Sequence, residues 1–458
     1  MARPAPRTSA TAVLLPVALC LVLGLWGIRR GGGLWRDEAV TYDMARRPLP
    51  DLMATLAEAD AVHGLYYLLM HGLFQMPGDL DPLLVLRLPS VLAAAAACGS
   101  VALLGHRLAG PRAGLLAGLV FALLPPVQRY AQEGRSYALV CALVAWATYL
   151  LLGAVRSGRR RAWAGYGAVL LTACLLHEFA VLAAVAHLVA LPRRARRAGM
   201  TATLTVAAAL TPLAVLSMGQ SEQVAWIGGI GAGALLGFAG VTLLGIGCTV
   251  LLKGPLPRLA LPLLVLPALL LLLLSLIKPL YVDRYVLYGH LGTALLVGAA
   301  LDRLLRRRRA LWLIAAGAAV AALLPTTLHL RTPESRTDDV TAIAQAIREA
   351  DADAIVFMPS RRRVWTLTHP SSLRDLALKG TPTASHTLYG TEVPASEIRA
   401  RLLATDRVVA LRDPAGQPVD QTAQEITKRR VLARYFEECS TRQLQGASIT
   451  VHAQPGAC

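Results

Sequence analysis

The sequence predicts a polytopic α-helical membrane protein of about eleven transmembrane helices, followed by a small soluble α/β domain at the C-terminus. Three observations predict it. The composition is apolar, with 55% hydrophobic residues, a mean hydropathy of +0.51 and 16% charged residues, against about 25% charged in a soluble globular chain. Apolar runs such as Leu261 to Ile277 recur, and their lengths approach the ~20 residues a bilayer core requires. Basic residues gather in short clusters between those runs, and the final third of the chain changes character.

The first run, Thr11 to Ile28, follows Arg3 and Arg7. A charged start before an apolar run is also a signal-peptide pattern. The run is long enough to span, and Gly31-Gly32-Gly33-Leu34-Trp35 is a poor cleavage site, so it is read as the first span, entering from the cytoplasm. Basic clusters then recur at Arg107 and Arg112, at Arg156 with Arg159 to Arg161, at Arg193, Arg194, Arg196 and Arg197, at Lys253 and Arg258, and at Arg303 with Arg306 to Arg309. Placing all five in the cytoplasm follows the positive-inside rule. The loops 29–82, 128–136, around His177, 219–229 and 279–289 then face outward. The last span, Ala310 to Leu330, delivers residues 331–458 to the same side. The expected organisation is a membrane domain over 1–330 and an extracytoplasmic domain over 331–458, in a multi-pass protein of the cell membrane.

The net charge of +18 suggests nucleic acid until it is mapped. Residues 1–330 hold 29 Lys and Arg against 13 Asp and Glu, whereas residues 331–458 hold 17 against 15. The excess therefore belongs to the membrane part, and nucleic acid is excluded as a partner. No Walker or dinucleotide signature follows a strand, so nucleotide-driven chemistry is unsupported. In residues 331–458, Asp338 to Asp351 reads as an amphipathic helix with Val340, Ile343, Ala344 and Ile347 on one face. Ala354 to Met358 reads as a buried strand, Ala395 to Ala404 as a helix and Arg407 to Leu411 as a strand. Cys20, Cys98, Cys141, Cys174 and Cys248 lie in apolar runs as small core residues. Cys439 and Cys458 fall on the outer side, where thiols oxidise, and are expected to form a disulfide. No Cys/His spacing indicates a zinc site.

Eight of the 13 acidic residues in 1–330 lie between Asp37 and Asp81, in an outer loop of a length that is uncommon unless functional. Leu65, Leu68, Leu69, Gly72 and Leu73 make one face of a short helix that could lie in the interface, with Tyr66 and Tyr67 at headgroup level. Asp37-Glu38 follows the first span directly. The pair reads either as solvated charge with Asp37 as N-cap of the next helix or as functional carboxylates. Tyr130 to Tyr137 (YAQEGRSY) and Tyr281 to Tyr285 (YVDRY) occupy two further outer loops, either as interfacial Tyr/Arg anchors or as site residues. His63 and His177 have a structural reading as hydrogen-bonded histidines beside a functional one. Asp351-Ala352-Asp353 and Asp79-Leu80-Asp81 look like the Asp-x-Asp of nucleotide-sugar transferases but end helices or loops, and are read as solvated turns.

Taken together and in order, these motifs resemble the GT-C glycosyltransferases that take sugars from polyprenyl-phosphate donors. The resemblance is to the protein O-mannosyltransferase and lipid A aminoarabinose transferase group in its broad bacterial branch, the glycosyltransferase family 39 type. It rests on Asp37-Glu38-Ala39-Val40-Thr41-Tyr42, His63-Gly64-Leu65-Tyr66-Tyr67, Tyr130 to Tyr137, His177-Glu178-Phe179 and Arg284-Tyr285. Gly64 stands where the family usually has Pro. The resemblance implies a GT-C-like fold and a sugar on a polyprenyl phosphate as donor. It implies a glycan, lipid or protein hydroxyl as acceptor, with membrane lipids around the chain. It makes Asp37 the general base and implies inversion at the anomeric carbon. Arg135 and Arg284 would hold the lipid phosphate, a role that bidentate guanidinium bonding suits. Glu38 and Glu133 would orient Asp37, bind acceptor or hold a divalent metal. His63, Tyr66, Tyr137, His177 and Tyr285 would line the substrate site.

Two other functions compete. A transporter or lipid flippase would place charged residues within the spans and often show paired repeats. The carboxylates here cluster on one outer loop instead, and the sequence shows no internal repeat. A non-enzymatic envelope scaffold presenting the C-terminal domain would leave the outer-loop residues dispersed.

Overall fold

The computed structural model describes residues 10–220, 227–414, 416–417 and 419–458. Arg3 and Arg7, and most of the expected outer loop 219–229, lie outside the described residues. The chain divides into two compact units. The first comprises residues 1–28, 61–66 and 87–330; the second comprises 29–60, 67–86 and 331–458. The first outer loop is thus split between the units, and most of it belongs with the C-terminal residues.

Among the described residues, eight helices are long and apolar enough to cross a membrane: Ala10–Gly32, Pro82–Ala109, Tyr137–Ser157, Arg193–Gly219, Ala232–Leu251, Pro255–Leu274, Asp283–Leu305 and Arg309–His329. A ninth is reached if Pro111–Leu123 and Pro125–Ala131 form one span broken by a 64° bend. The expected count was about eleven. The shortfall falls on short segments, since Arg160–Leu176 has 17 residues and the apolar stretch Glu178–Ala190 is shorter still. At 1.5 Å per residue, neither alone covers the ~30 Å hydrocarbon core. Pro125 breaks the bent pair because it can neither donate to the preceding turn nor fit against it.

Within the first unit, small residues set the helix contacts, as expected where lipid removes the hydrophobic driving force. A Cβ on Gly298 would lie 2.4 Å from the backbone of Ala117, and one on Gly292 would lie 2.2 Å from the carbonyl of Ala260. Those glycines let the helix His290–Leu305 meet Pro111–Leu123 on one side and Pro255–Leu274 on the other. Cys20, Cys98, Cys141, Cys174 and Cys248 are all buried and free, as small core residues should be.

In the second unit, the C-terminal residues build a five-stranded sheet. Its strands are β1 (Ala354–Met358), β2 (Arg374–Asp375), β5 (Arg407–Arg412), β6 (Glu437–Leu444) and β7 (Ala447–Ala453), in the order β2-β1-β5-β7-β6. Between them, β3 (Leu378–Gly380) pairs with β4 (Thr391–Glu392). β1 lies parallel to β2 and β5, and β7 antiparallel to β5 and β6. β1 is buried at every position, which its unbroken apolar run required. One face packs Val356, Met358, Val408 and Ala410 against Ile398, Leu402, Val431 and Leu432. The last two come from the helix Ala423–Tyr435, which the sequence reading missed, as it missed the β6–β7 hairpin; the helix and β6 show no clean apolar period, whereas β7 alternates Ala447, Ile449, Val451 and Ala453 with polar residues. Cys439 is the residue at which the β6–β7 register shifts. Its sulfur is bonded to that of Cys458, with the Cα atoms 5.3 Å apart.

The remaining part of the second unit is helical: Arg36–Arg46, Leu49–Glu58 and most of Gly64–Phe74. Leu65, Leu68 and Leu69 are exposed along the last of these, but Tyr66 and Tyr67 are fully buried rather than at headgroup level. The polar tip of Tyr67 is satisfied inside the protein by the Asp60 carboxylate, which removes the need for a wet interface. Both Asp-x-Asp segments act as turns. Asp351 pairs with Arg407 and Asp353 accepts from the Arg407 amide; Asp81 pairs with Arg29 and accepts from Leu83 N.

Candidate active site

In the first unit, four separate turns deliver the candidate side chains. His63 closes a 3₁₀ turn over Ala61–His63, whose first amide donates to Gln220 Oε1 at 2.9 Å. The loop 132–136 is fixed from two sides. Ser90 Oγ donates to the carbonyls of Glu133 and Arg135 at 2.6 and 3.1 Å. Gln132 Nε2 meets the open carbonyls at the end of the first span, Gly24 at 2.9 Å and Trp26 at 2.7 Å. Fully buried Arg87 donates to the Ile28 carbonyl at 2.6 Å. A helix end leaves such carbonyls without partners, and in lipid they must be met by protein. His177 sits in extended backbone between Arg160–Leu176 and the turn Glu178–Val181. Arg284 and Tyr285 lie in the 3₁₀ turn Asp283–Gly289.

These turns bring together residues far apart in sequence. The His177 and Tyr285 rings are 4.5 Å apart. His63 lies 5.6 Å from His177 and 6.3 Å from Tyr137, and Tyr137 lies 5.7 Å from His177 and 6.2 Å from Tyr285. Tyr137 Oη accepts from Arg284 Nε at 3.0 Å, and the Arg284 guanidinium lies over both tyrosine rings at cation–π distance. Arg135 is nearly buried, and Glu133 is buried with Arg129 Nε at 3.6 Å. Burial chiefly, and then the positive charges of Arg135 and Arg284, push the His63 imidazole well below its ordinary 6.5, so it is neutral at pH 7. Arg284 thus contacts the aromatic cluster directly, and the positive charge of Arg135 bears on His63. Tyr66 is fully buried one turn beyond His63. Sequence reasoning gave no separate role to Phe179, whose ring lies 5.6 Å from that of Tyr285, or to Gln132, although both stand inside motifs; it missed Arg87 and Ser90, which bear no motif of their own.

Asp37 and Glu38 lie in the second unit, in the first turn of Arg36–Arg46. Their surroundings differ. Glu38 is fully buried and held by Arg30 Nη2 at 3.0 Å, an ion pair closed to solvent on both sides. Asp37 remains partly exposed, and its backbone carbonyl accepts from Thr41 Oγ1. The N-cap reading of Asp37 fails, because Trp35 occupies the cap position and makes no side-chain cap bond. The Arg36 amide donates instead to Asp338 Oδ1 at 3.1 Å. Glu38 and Glu133 are also expected from the resemblance as candidate metal ligands. Each has an arginine on it, and among the described residues no group of three or more His, Cys, Asp or Glu side chains converges as a metal site.

Across almost its whole length the chain matches the structure of ArnT from Cupriavidus metallidurans. The match has a TM-score of 0.59 at 13% identity and covers 96% of this chain and 97% of that one. The chain has a GT-C-like fold. Within that fold, residues 65–218 match the family described as dolichyl-phosphate-mannose-protein mannosyltransferase. The Archaeoglobus fulgidus oligosaccharyltransferase in its apo form is similar to this chain at a TM-score of 0.55 and 11% identity, over 87% of this chain and 69% of that one. No curated protein matches it by sequence.

Proposed function

We propose that the chain is an inverting glycosyltransferase that moves a sugar from a polyprenyl-phosphate donor to a hydroxyl acceptor at the outer face of the cell membrane. The observation that carries this reading is the buried cluster of His63, Tyr137, His177 and Tyr285, on which the guanidinium groups of Arg135 and Arg284 both act. Paired guanidinium groups suit a phosphate leaving group, and aromatic faces suit the apolar face of a sugar ring. The family match over residues 65–218 supports a lipid-phosphate-linked sugar as donor.

In this reading Asp37 takes the proton from the acceptor hydroxyl as its oxygen attacks the anomeric carbon. The bond from that carbon to the phosphate oxygen breaks on the opposite face, which inverts the centre. The bonding pair leaves on the polyprenyl phosphate, where Arg135 and Arg284 stabilise the charge that develops. Glu38 does not share the base role, because its carboxylate is committed to Arg30.

The test is incubation of purified protein with a panel of polyprenyl-phosphate sugars and hydroxyl acceptors, following release of the lipid phosphate. Wild-type protein releases it from at least one donor. Asp37→Asn keeps size and shape but cannot take a proton, and turnover falls by about 10²–10⁴-fold with the protein still folded. No release from any donor overturns the reading; release by Asp37→Asn at the wild-type rate overturns the base assignment.

A further inference from the structure

The helix that carries Asp37 and Glu38 begins without a cap of its own. Trp35 stands at the cap position in extended backbone with no acceptor to offer, although the first amides of a helix need one. The acceptor comes from some 300 residues along the chain. Asp338 is 2% exposed. One carboxylate oxygen accepts from Arg36 N at 3.1 Å and the other from Nε1 of fully buried Trp365 at 3.1 Å. The neighbouring residues lace the same strap. Val340 N donates to the Leu34 carbonyl at 2.9 Å. Thr341 Oγ1 accepts from Leu34 N at 3.4 Å and donates to the Gly32 carbonyl at 3.2 Å. Asp339, beside Asp338, is spent on its own helix, accepting from Thr341 N and Ala342 N. Two adjacent aspartates thus cap two different helices, one local and one distant.

We infer that Asp338 is a positioning residue: its buried carboxylate, held by Trp365, caps the Asp37-Glu38 helix and fixes the height and direction of the Asp37 carboxylate. The C-terminal residues are then a working part of the transferase. This inference rests on Asp37 being the base. Charge also fits, because an anionic cap at a helix N-terminus complements the helix dipole, while Asp37 and Glu38 draw on the same positive end. A misplacement of about 1 Å at a reacting group costs on the order of 10²-fold in rate, so a loosened cap is read directly in turnover.

The experiment compares wild type, Asp338→Ala and the double variant Asp338→Asn/Trp365→Phe as full-length protein. Asn retains one acceptor for Arg36 N, and Phe removes the indole N–H that would otherwise oppose the Asn amide. Two readouts are taken: amide hydrogen exchange over residues 35–42, and kcat and KM for the donor. Asp338→Ala is expected to speed exchange at residues 36–39 by at least about 10-fold and to lower kcat by about 10²-fold, with donor KM within about threefold. The double variant recovers most of both. Unchanged exchange at residues 36–39 overturns the cap; faster exchange with wild-type kcat overturns the positioning role. A wild-type protein inert toward every donor sinks the transferase reading and the catalytic half of this inference, while exchange still decides the cap. If Asp338→Ala is not recovered folded, Thr341→Val loosens the same strap and must shift both readouts in the same direction, or the inference fails.

Discussion

The two carboxylates at the start of the Arg36–Arg46 helix look alike in sequence and stand in different surroundings. Glu38 is closed off with Arg30, so its charge is structural. Glu38→Gln removes the charge from one side of a buried ion pair, which costs roughly 3–5 kcal/mol; a thermal melt of the purified protein should show a large fall. An unchanged melting temperature would return Glu38 to the list of reactive groups. His63 gives a second measurement. Its folded pKa lies well below 6.5, from burial and the positive charges of Arg135 and Arg284. Below pH 6.5 the unfolded chain therefore binds a proton that the folded chain does not, and stability is lost as pH falls. Each unit of pH can cost up to about 1.4 kcal/mol in that window. His63→Gln should flatten the loss of melting temperature between pH 7.5 and 5; parallel curves would show that His63 is not the neutral group described.

At the scale of elements, the membrane part depends on backbones meeting without side chains between them. Gly298 approaches the Ala117 backbone so closely that even a methyl group would collide. Gly298→Ala should therefore force His290–Leu305 away from Pro111–Leu123, at roughly 1–3 kcal/mol, and speed proteolysis in detergent; wild-type resistance would show that the contact is soft. The shorter apolar elements were read from sequence as full spans because composition reports apolarity and not where a helix stops. Pro125, the extended backbone at His177 and the αL cap at Gly158 set those stops. The helix Ala423–Tyr435 shows the converse. Its buried Glu425 and Lys428 pair with each other at 2.7 Å, so burial there is polar and leaves no apolar stripe to read.

For the whole molecule, the five basic clusters predict that the C-terminal residues and the Arg36–Arg46 helix share the outer face of the membrane. The five thiols outside the disulfide are buried and the other two cysteines are bonded, so a single added cysteine is a clean reporter. Ser157→Cys and Asp351→Cys sit at exposed positions. In intact cells a membrane-impermeant maleimide should label the second and not the first. The reverse pattern would invert the topology and move the proposed chemistry to the cytoplasm.

The sequence by itself determined the membrane class, most of the spans, the β1 and β5 strands and the motifs that name the candidate site, because each is written in local period, run length or charge. It did not determine which residues those motifs lean on. Whether Glu38 reacts or is buried against Arg30 depends on a backbone bend at Arg30 and Gly31. That His63, Tyr137, His177 and Tyr285 form one cluster depends on four turns closing on one another. That a distant aspartate accepts from the first amide of the Arg36–Arg46 helix depends on how the C-terminal residues fold back. Such contacts join residues up to some 300 positions apart, where no periodicity links the partners. Only the tertiary structure could decide them, because each buried polar group takes whichever partner the packing brings within hydrogen-bond reach.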